Sequence, residues 1–306
     1  MTIMTDRLTG DRYVNPYTDF GFKMLFGTEM NKELLISFVN SLFDGKEVIT
    51  DLTYLNTEQL GTAETDRKAV FDVYCENEKG EKILIEMQRG EQQFFKDRSV
   101  YYSTFPIREQ GRKGEWNYEL KAVYVIGILN FTFYDEDSEY FHHEVKLVDI
   151  NTKEVFYDKL TFMYLEMPKF NKTENELEDM FDKWMFVLRN LSRLMGRPAA
   201  LQERVFTKLF EAAEIAKFSK QQYDEYEESL KAYRDWQNTI ETAKMRSREE
   251  GRAEGIEVGR AEGIEVGRAE GIELGRAEGR KLERIEMARK FKASGIPTDI
   301  IAKNTG

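Results

Sequence analysis

Asp72 and Glu86 stand on either side of the sequence AVFDVYCENEKGEKILIEMQ, residues 69–88, with Gln88 two positions beyond the second acid. The apolar residues of this stretch alternate, and Glu78-Lys79-Gly80 interrupts them. A three-residue loop closed by glycine in the left-handed region joins antiparallel strands. It pairs Asn77 with Glu81, and the same register sets Asp72 opposite Glu86, Val70 opposite Gln88 and Tyr74 opposite Leu84. Opposed residues hold their Cβ atoms about 4.5–5.5 Å apart, where like charges repel. Two carboxylates so placed favour a cation between them. Oxygen donors of this kind suit Mg²⁺ or Mn²⁺, with water or phosphate filling the other positions. Such an ion activates water for phosphodiester hydrolysis.

Alternation puts Asp72, Glu86 and Gln88 on one face, with Val70, Tyr74 and Leu84. Phe71, Val73, Cys75, Ile83, Ile85 and Met87 fall on the other. Spacing alone also fits a hairpin whose acids simply face solvent, but the apolar residues beside them imply a cover of helices. Cys75 is the only cysteine, which excludes a disulfide framework and a multi-cysteine zinc site. It reads as an inert buried thiol. His142 and His143 are the only imidazoles, and they read as solvent-facing strand positions.

The elements that must position these groups are legible on both sides. Leu34, Leu35, Phe38, Val39, Leu42 and Phe43 form a helical stripe that Asn31 is placed to cap. Strand-like runs follow at 48–56, 68–76, 82–88 and 122–131. A second helix lies between the last two, with Phe94, Phe95, Arg98, Tyr101, Tyr102 and Phe105 on one face. An arginine within an aromatic face needs a partner, either a structural acid or a DNA phosphate. Residues 140–166 read as further strands, extending the sheet or forming a flap.

Beyond residue 174 the pattern is helical, with stripes at Leu177, Met180, Phe181, Trp184, Met185, Leu188 and Leu191, and at Tyr223, Tyr226, Leu230 and Tyr233. Residues 251–279 repeat GRAEGIEV with glycine at every fourth position. Eight glycines cost a helix about 8 kcal/mol relative to alanine, so the repeat reads as a loose, partly helical spacer. Close approach of two chains along the glycines is the alternative. The expected organisation is a catalytic domain at 1–170, a helical region at 171–247, the spacer at 248–280 and a short helical terminus at 281–306.

The 306 residues include 45 Lys and Arg against 56 Asp and Glu, a net charge of −11, the wrong sign for a simple nucleic-acid coat. A local basic stretch exists: Arg89, Lys96, Arg98, Arg108, Arg112 and Lys113 against Glu91, Asp97 and Glu109, six minus three giving +3. No run of about 18 apolar residues and no apolar leader is present. A cytoplasmic protein without a membrane segment is expected.

Four stretches carry a family resemblance: DFGFKMLFG (19–27), NKELLISFVN (31–40), DRKAVFDVYCENEKGEKILIEMQ (66–88) and FFKDRSVYYS (94–103). In these the chain resembles the PD-(D/E)XK nuclease superfamily and, within it, the Rpn family of recombination-promoting nucleases and transposases. The likeness covers at least residues 13–130, and the glycine-repeat tail is similar too. It implies an α/β restriction-endonuclease-like core, a mixed sheet flanked by helices, and Mg²⁺- or Mn²⁺-dependent cleavage of DNA. On it, Asp72 and Glu86 match the metal-binding acids, and Gln88 stands where the superfamily usually has lysine. Glutamine can orient water or substrate but cannot supply charge. Arg98, Tyr101, Asp19 and Lys23 are the supporting candidates. The superfamily often adds a further acid, here Asp19, Glu33 or Glu58. The rival expectation is a nuclease-derived module, weak in catalysis, that binds DNA or forms homo-oligomers through its helical C-terminal region.

Overall fold

The structure, a computed structural model, describes residues 11–43, 45, 48–59, 69–111, 114–133 and 139–305. Residues 66–68 of the family-like stretch, and Arg112 and Lys113 of the basic stretch, lie outside them. The chain divides into two compact units, residues 1–234 and 235–306.

The first unit opens with helices α1 (Asp19–Phe26) and α2 (Lys32–Leu42). Thr18 caps α1 by accepting from the Gly21 N–H. Asn31 does not cap α2. Its amide donates to the Met24 carbonyl at 2.7 Å, tying the two helices together. Strands β1 (Leu52–Tyr54), β2 (Glu58–Gln59), β3 (Ala69–Val70), β4 (Val73–Asn77) and β5 (Lys82–Gln88) follow. Helix α3 (Phe95–Glu109) crosses over to β6 (Val123–Leu129), and β7 (His142–Val148) and β8 (Val155–Glu166) come next. The main sheet has the order β1-β4-β5-β6-β8-β7. Strands β5, β6 and β8 are parallel, while β1, β4 and β7 run antiparallel to their neighbours. The last two strands therefore extend the sheet. This mixed sheet flanked by helices is the restriction-endonuclease-like architecture expected from the sequence.

The hairpin register is as read: Val73 pairs with Ile85, Tyr74 with Leu84 and Cys75 with Ile83. Gly80 closes the loop at φ +79°, and Asn77 and Glu81 are joined across it. The alternation fails at one end. Between the pairs Tyr54–Cys75 and Glu58–Val70 one strand advances four residues and the other five. That extra residue is a bulge next to Asp72. Phe71 consequently lies with Tyr74 and Leu84, in the cluster formed with Phe95, Phe105, Val125 and Tyr164. The ladder stops at Val73, and Val70 pairs with Glu58 rather than Gln88.

Helix α3 covers this face, although its buried side differs from the aromatic stripe. Phe95, Ser99, Ser103, Phe105 and Pro106 are buried, whereas Phe94 is 65% and Tyr101 42% exposed. The small serines let the helix approach β6 at Gly127, where a Cβ would meet Tyr164 at 3.0 Å, Leu129 at 3.3 Å and Phe95 at 3.5 Å. On the opposite face Phe43 meets Tyr124 edge-on, and the Tyr54 hydroxyl donates to the Phe26 carbonyl.

Helices α4 (Met180–Asn190) and α5 (Arg204–Ala213) share a core with α1 and α2, centred on Phe26, Phe38, Trp184 and Phe206. Helix α6 (Lys220–Ala293) begins in the first unit, where Tyr226, Leu230 and Tyr233 are buried. In the second unit it continues through the glycine repeat. Gly295, at φ +78°, ends it before α7 (Thr298–Thr305). No helix among the described residues is long and apolar enough to cross a membrane.

Candidate active site

Glu86 and Gln88 sit at the C-terminal end of the parallel strand β5, the end at which open α/β sheets place their ligands. Asp72 stands across from them, released from the ladder by the bulge. Its Oδ2 accepts the Met87 N–H at 2.8 Å, which fixes the carboxylate against β5. Burial pushes the Asp72 carboxyl up, the Met87 N–H opposes this, and Asp19, Lys23 and Arg89 act on it from nearby.

Glu86 is pushed up to about 7, chiefly by burial. Arg98 counteracts this, and the charge of Asp72 reinforces it. Both acids therefore sit in a poorly solvated place, and the charge of Asp72 adds to the rise at Glu86. Arg98 reaches down from α3: one Nη2 donates to Glu86 Oε2 at 3.0 Å and to Gln88 Oε1 at 2.5 Å. Nη1 donates to Gln92 Oε1 at 2.7 Å. The guanidinium carbon lies 5.8 Å from the Phe95 ring centre and 5.5 Å from that of Tyr102. Gln88 is buried, and its Nε2 donates to the Gly90 carbonyl.

The structure thus brings Asp72, Glu86, Gln88 and Arg98 together, and answers the open question about Arg98 with an acid partner. Asp19 and Lys23 form an ion pair at 2.9 Å on α1, near enough for both charges to act on Asp72. The other candidates are placed elsewhere. Glu33 pairs with Lys208 of α5 at 2.7 Å, Glu58 is exposed on β2, and Tyr101 meets Phe105 edge-on at the outer side of α3. Cys75 is the expected inert thiol, fully buried and pushed up to about 12.

His143 departs from its expected solvent-facing role. Its Nε2 lies 3.2 Å from Glu166, a carboxylate only 1% exposed that also pairs with Lys169 at 2.6 Å and accepts the Phe133 N–H. Glu166 shares a register row with Gln88 through Leu129. Phe133 packs beside Phe95, so this cluster braces the start of α3. Sequence reading missed it because the row exists only once β8 lies beside β6. Gln92, the second anchor of Arg98, carried no signal in sequence.

No group of three or more His, Cys, Asp and Glu suited to a metal occurs among the described residues. The donors present are two carboxylates. Met87 takes Asp72 Oδ2 and Arg98 takes Glu86 Oε2, which leaves Oδ1 and Oε1 without partners among the described residues. Two hard oxygens on half-buried acids fit a small divalent cation.

The model of the PD-(D/E)XK nuclease family transposases matches residues 16–243, most of the chain. The chain belongs to that family. The family match spans the sheet, the acid pair and the helices through the first part of α6, so a nuclease- or transposase-related role attaches to residues 16–243. No curated protein and no solved structure matches the chain.

Proposed function

We propose that this PD-(D/E)XK family member is a cytoplasmic, Mg²⁺- or Mn²⁺-dependent DNA endonuclease acting in recombination or transposition. The observation that carries the proposal is the pair of half-buried carboxylates, Asp72 and Glu86, both raised by desolvation beside the C-terminal end of β5. Asp72 and Glu86 would hold the cation through Oδ1 and Oε1. When bound, that ion would polarise a phosphodiester and lower the pKa of an attacking water. The Met87 N–H keeps the Asp72 carboxylate turned toward β5. Gln88, fixed by Gly90, holds the Arg98 guanidinium beside the acids and orients it for substrate. Phe71, Phe95 and Tyr102 wall the α3 side and limit access of bulk water.

Supercoiled plasmid treated with purified full-length protein tests the proposal. Conversion to nicked or linear DNA should occur with Mg²⁺, stop with chelator and return when Mg²⁺ is restored. Cleavage unaffected by chelator would refute the metal-dependent reading.

A further inference from the structure

The arginine next to the acid pair raises a problem of charge. In the superfamily pattern a lysine stands at position 88, whereas this chain has glutamine there and Arg98 bonded to it. We propose that Arg98 is the tethered cation of this site: bound to both Glu86 and Gln88 without metal, displaced from Glu86 but retained by Gln88 when a divalent ion binds, and then free to meet a DNA phosphate. The inference rests on the reading of Asp72 and Glu86 as metal ligands and adds how their occupancy is controlled.

Three features support it. One Nη2 serves both acceptors, so Arg98 sits on Oε2 of the same carboxylate whose Oε1 the ion would take. A guanidinium and a divalent ion a few ångström apart in a partly buried site repel strongly, and they compete for Glu86. Next, Arg98 has anchors that do not depend on Glu86. Its guanidinium carbon lies 5.8 Å from the Phe95 ring centre and 5.5 Å from that of Tyr102, and Nη1 is held by Gln92. Losing the carboxylate therefore leaves the head group near the site, while the 29% exposure of the side chain leaves it a path outward. Finally, Gln88 cannot turn away, because the Gly90 carbonyl holds its Nε2 and aims Oε1 at the guanidinium. A lysine at 88 would repel Arg98. Gln88 and Arg98 together supply the positive charge that the lysine supplies elsewhere, on a side chain that metal occupancy can redirect.

The test is Mn²⁺ binding to the full chain without DNA, followed by the paramagnetic resonance of free Mn²⁺. Arg98→Met keeps an unbranched apolar side chain and removes the charge; Arg98→Gln keeps a hydrogen-bonding head and is the second variant if the first folds poorly. Either should bind Mn²⁺ at least about tenfold more tightly than the native chain, because the competing cation is gone. Arg98→Lys should bind it like the native chain. Plasmid nicking should fall in Arg98→Met and recover when Gln88→Lys is added. Equal or weaker Mn²⁺ binding by the uncharged variants would overturn the inference and reduce Arg98 to a structural brace. Absence of Mn²⁺ binding by every form, native included, would instead bring down the metal-site reading on which it rests.

Discussion

At the scale of residues, the site is governed by one half-buried acid, Glu86, whose charge is only partly compensated. Glu86 is held at about 7 in the folded chain, against an ordinary value near 4.5. A folded value above the unfolded one gives stability that is present in full below about 4.5 and lost as pH rises through about 7. In chelator, the native chain should therefore lose on the order of 2–3 kcal/mol between pH 4.5 and 8 relative to Glu86→Gln, whose amide still accepts from Arg98. Urea denaturation of both proteins across that range measures the difference, and parallel pH curves would show that burial of Glu86 carries no charge cost. Gln88→Lys places an ammonium against the guanidinium, so it should lower the melting temperature of the metal-free protein while plasmid nicking persists. Glu33→Ala removes only an ion pair with Lys208 on a half-exposed surface and should leave nicking unchanged.

At the scale of elements, the site depends on how closely α3 lies on the sheet. Gly127→Ala puts a methyl within 3.0 Å of Tyr164 and 3.5 Å of Phe95, one turn before Arg98. Overpacking of this kind costs about 1–3 kcal/mol. A lowered melting temperature together with reduced nicking is expected, whereas unchanged values for both would mean that α3 has more room than the packing shows. The same elements explain what could be read in advance. The hairpin register was legible because a short loop with glycine at the turn fixes it locally. The side taken by Phe71 was not, because the bulge depends on pairing with residues 54–58, across the gap between β2 and β3. The buried face of α3 was misread in the same way: periodicity marks aromatic residues, but close approach at Gly127 selects Ser99 and Ser103 for the interior and leaves Phe94 outside. Glu166 and His143 meet across the β7–β8 hairpin, and they come into the row of Gln88 only because β8 lies beside β6.

At the scale of the whole molecule, the family match ends at residue 243, and the glycine repeat follows within the second unit, residues 235–306. The repeat is helical throughout, with open space around each of its eight glycines and with Ile256, Val258, Ile264, Val266, Ile272 and Leu274 exposed. Helical stability there rests on local hydrogen bonds weakened by glycine. Amides of residues 251–279 should therefore exchange with solvent orders of magnitude faster than those around Tyr226 and Tyr233. As a spacer, the segment should also tolerate deletion of two eight-residue repeats without change in melting temperature or in mass by light scattering. Loss of a defined oligomer on deletion would instead establish the glycines as a contact between chains. Amphipathic stripes in residues 171–234 were plain in sequence, but not that they pack with α1 and α2, since a stripe names a buried face and not its partner.

The acid pair can be tested most directly by plasmid nicking with Asp72→Asn and Glu86→Gln, each checked by thermal melting. Both substitutions keep shape and remove one negative charge. With Mg²⁺ present, both should lose at least about a hundredfold in nicking rate while melting no lower than the native chain. Nicking by either variant at the native rate would contradict the assignment of metal-dependent cleavage to Asp72 and Glu86.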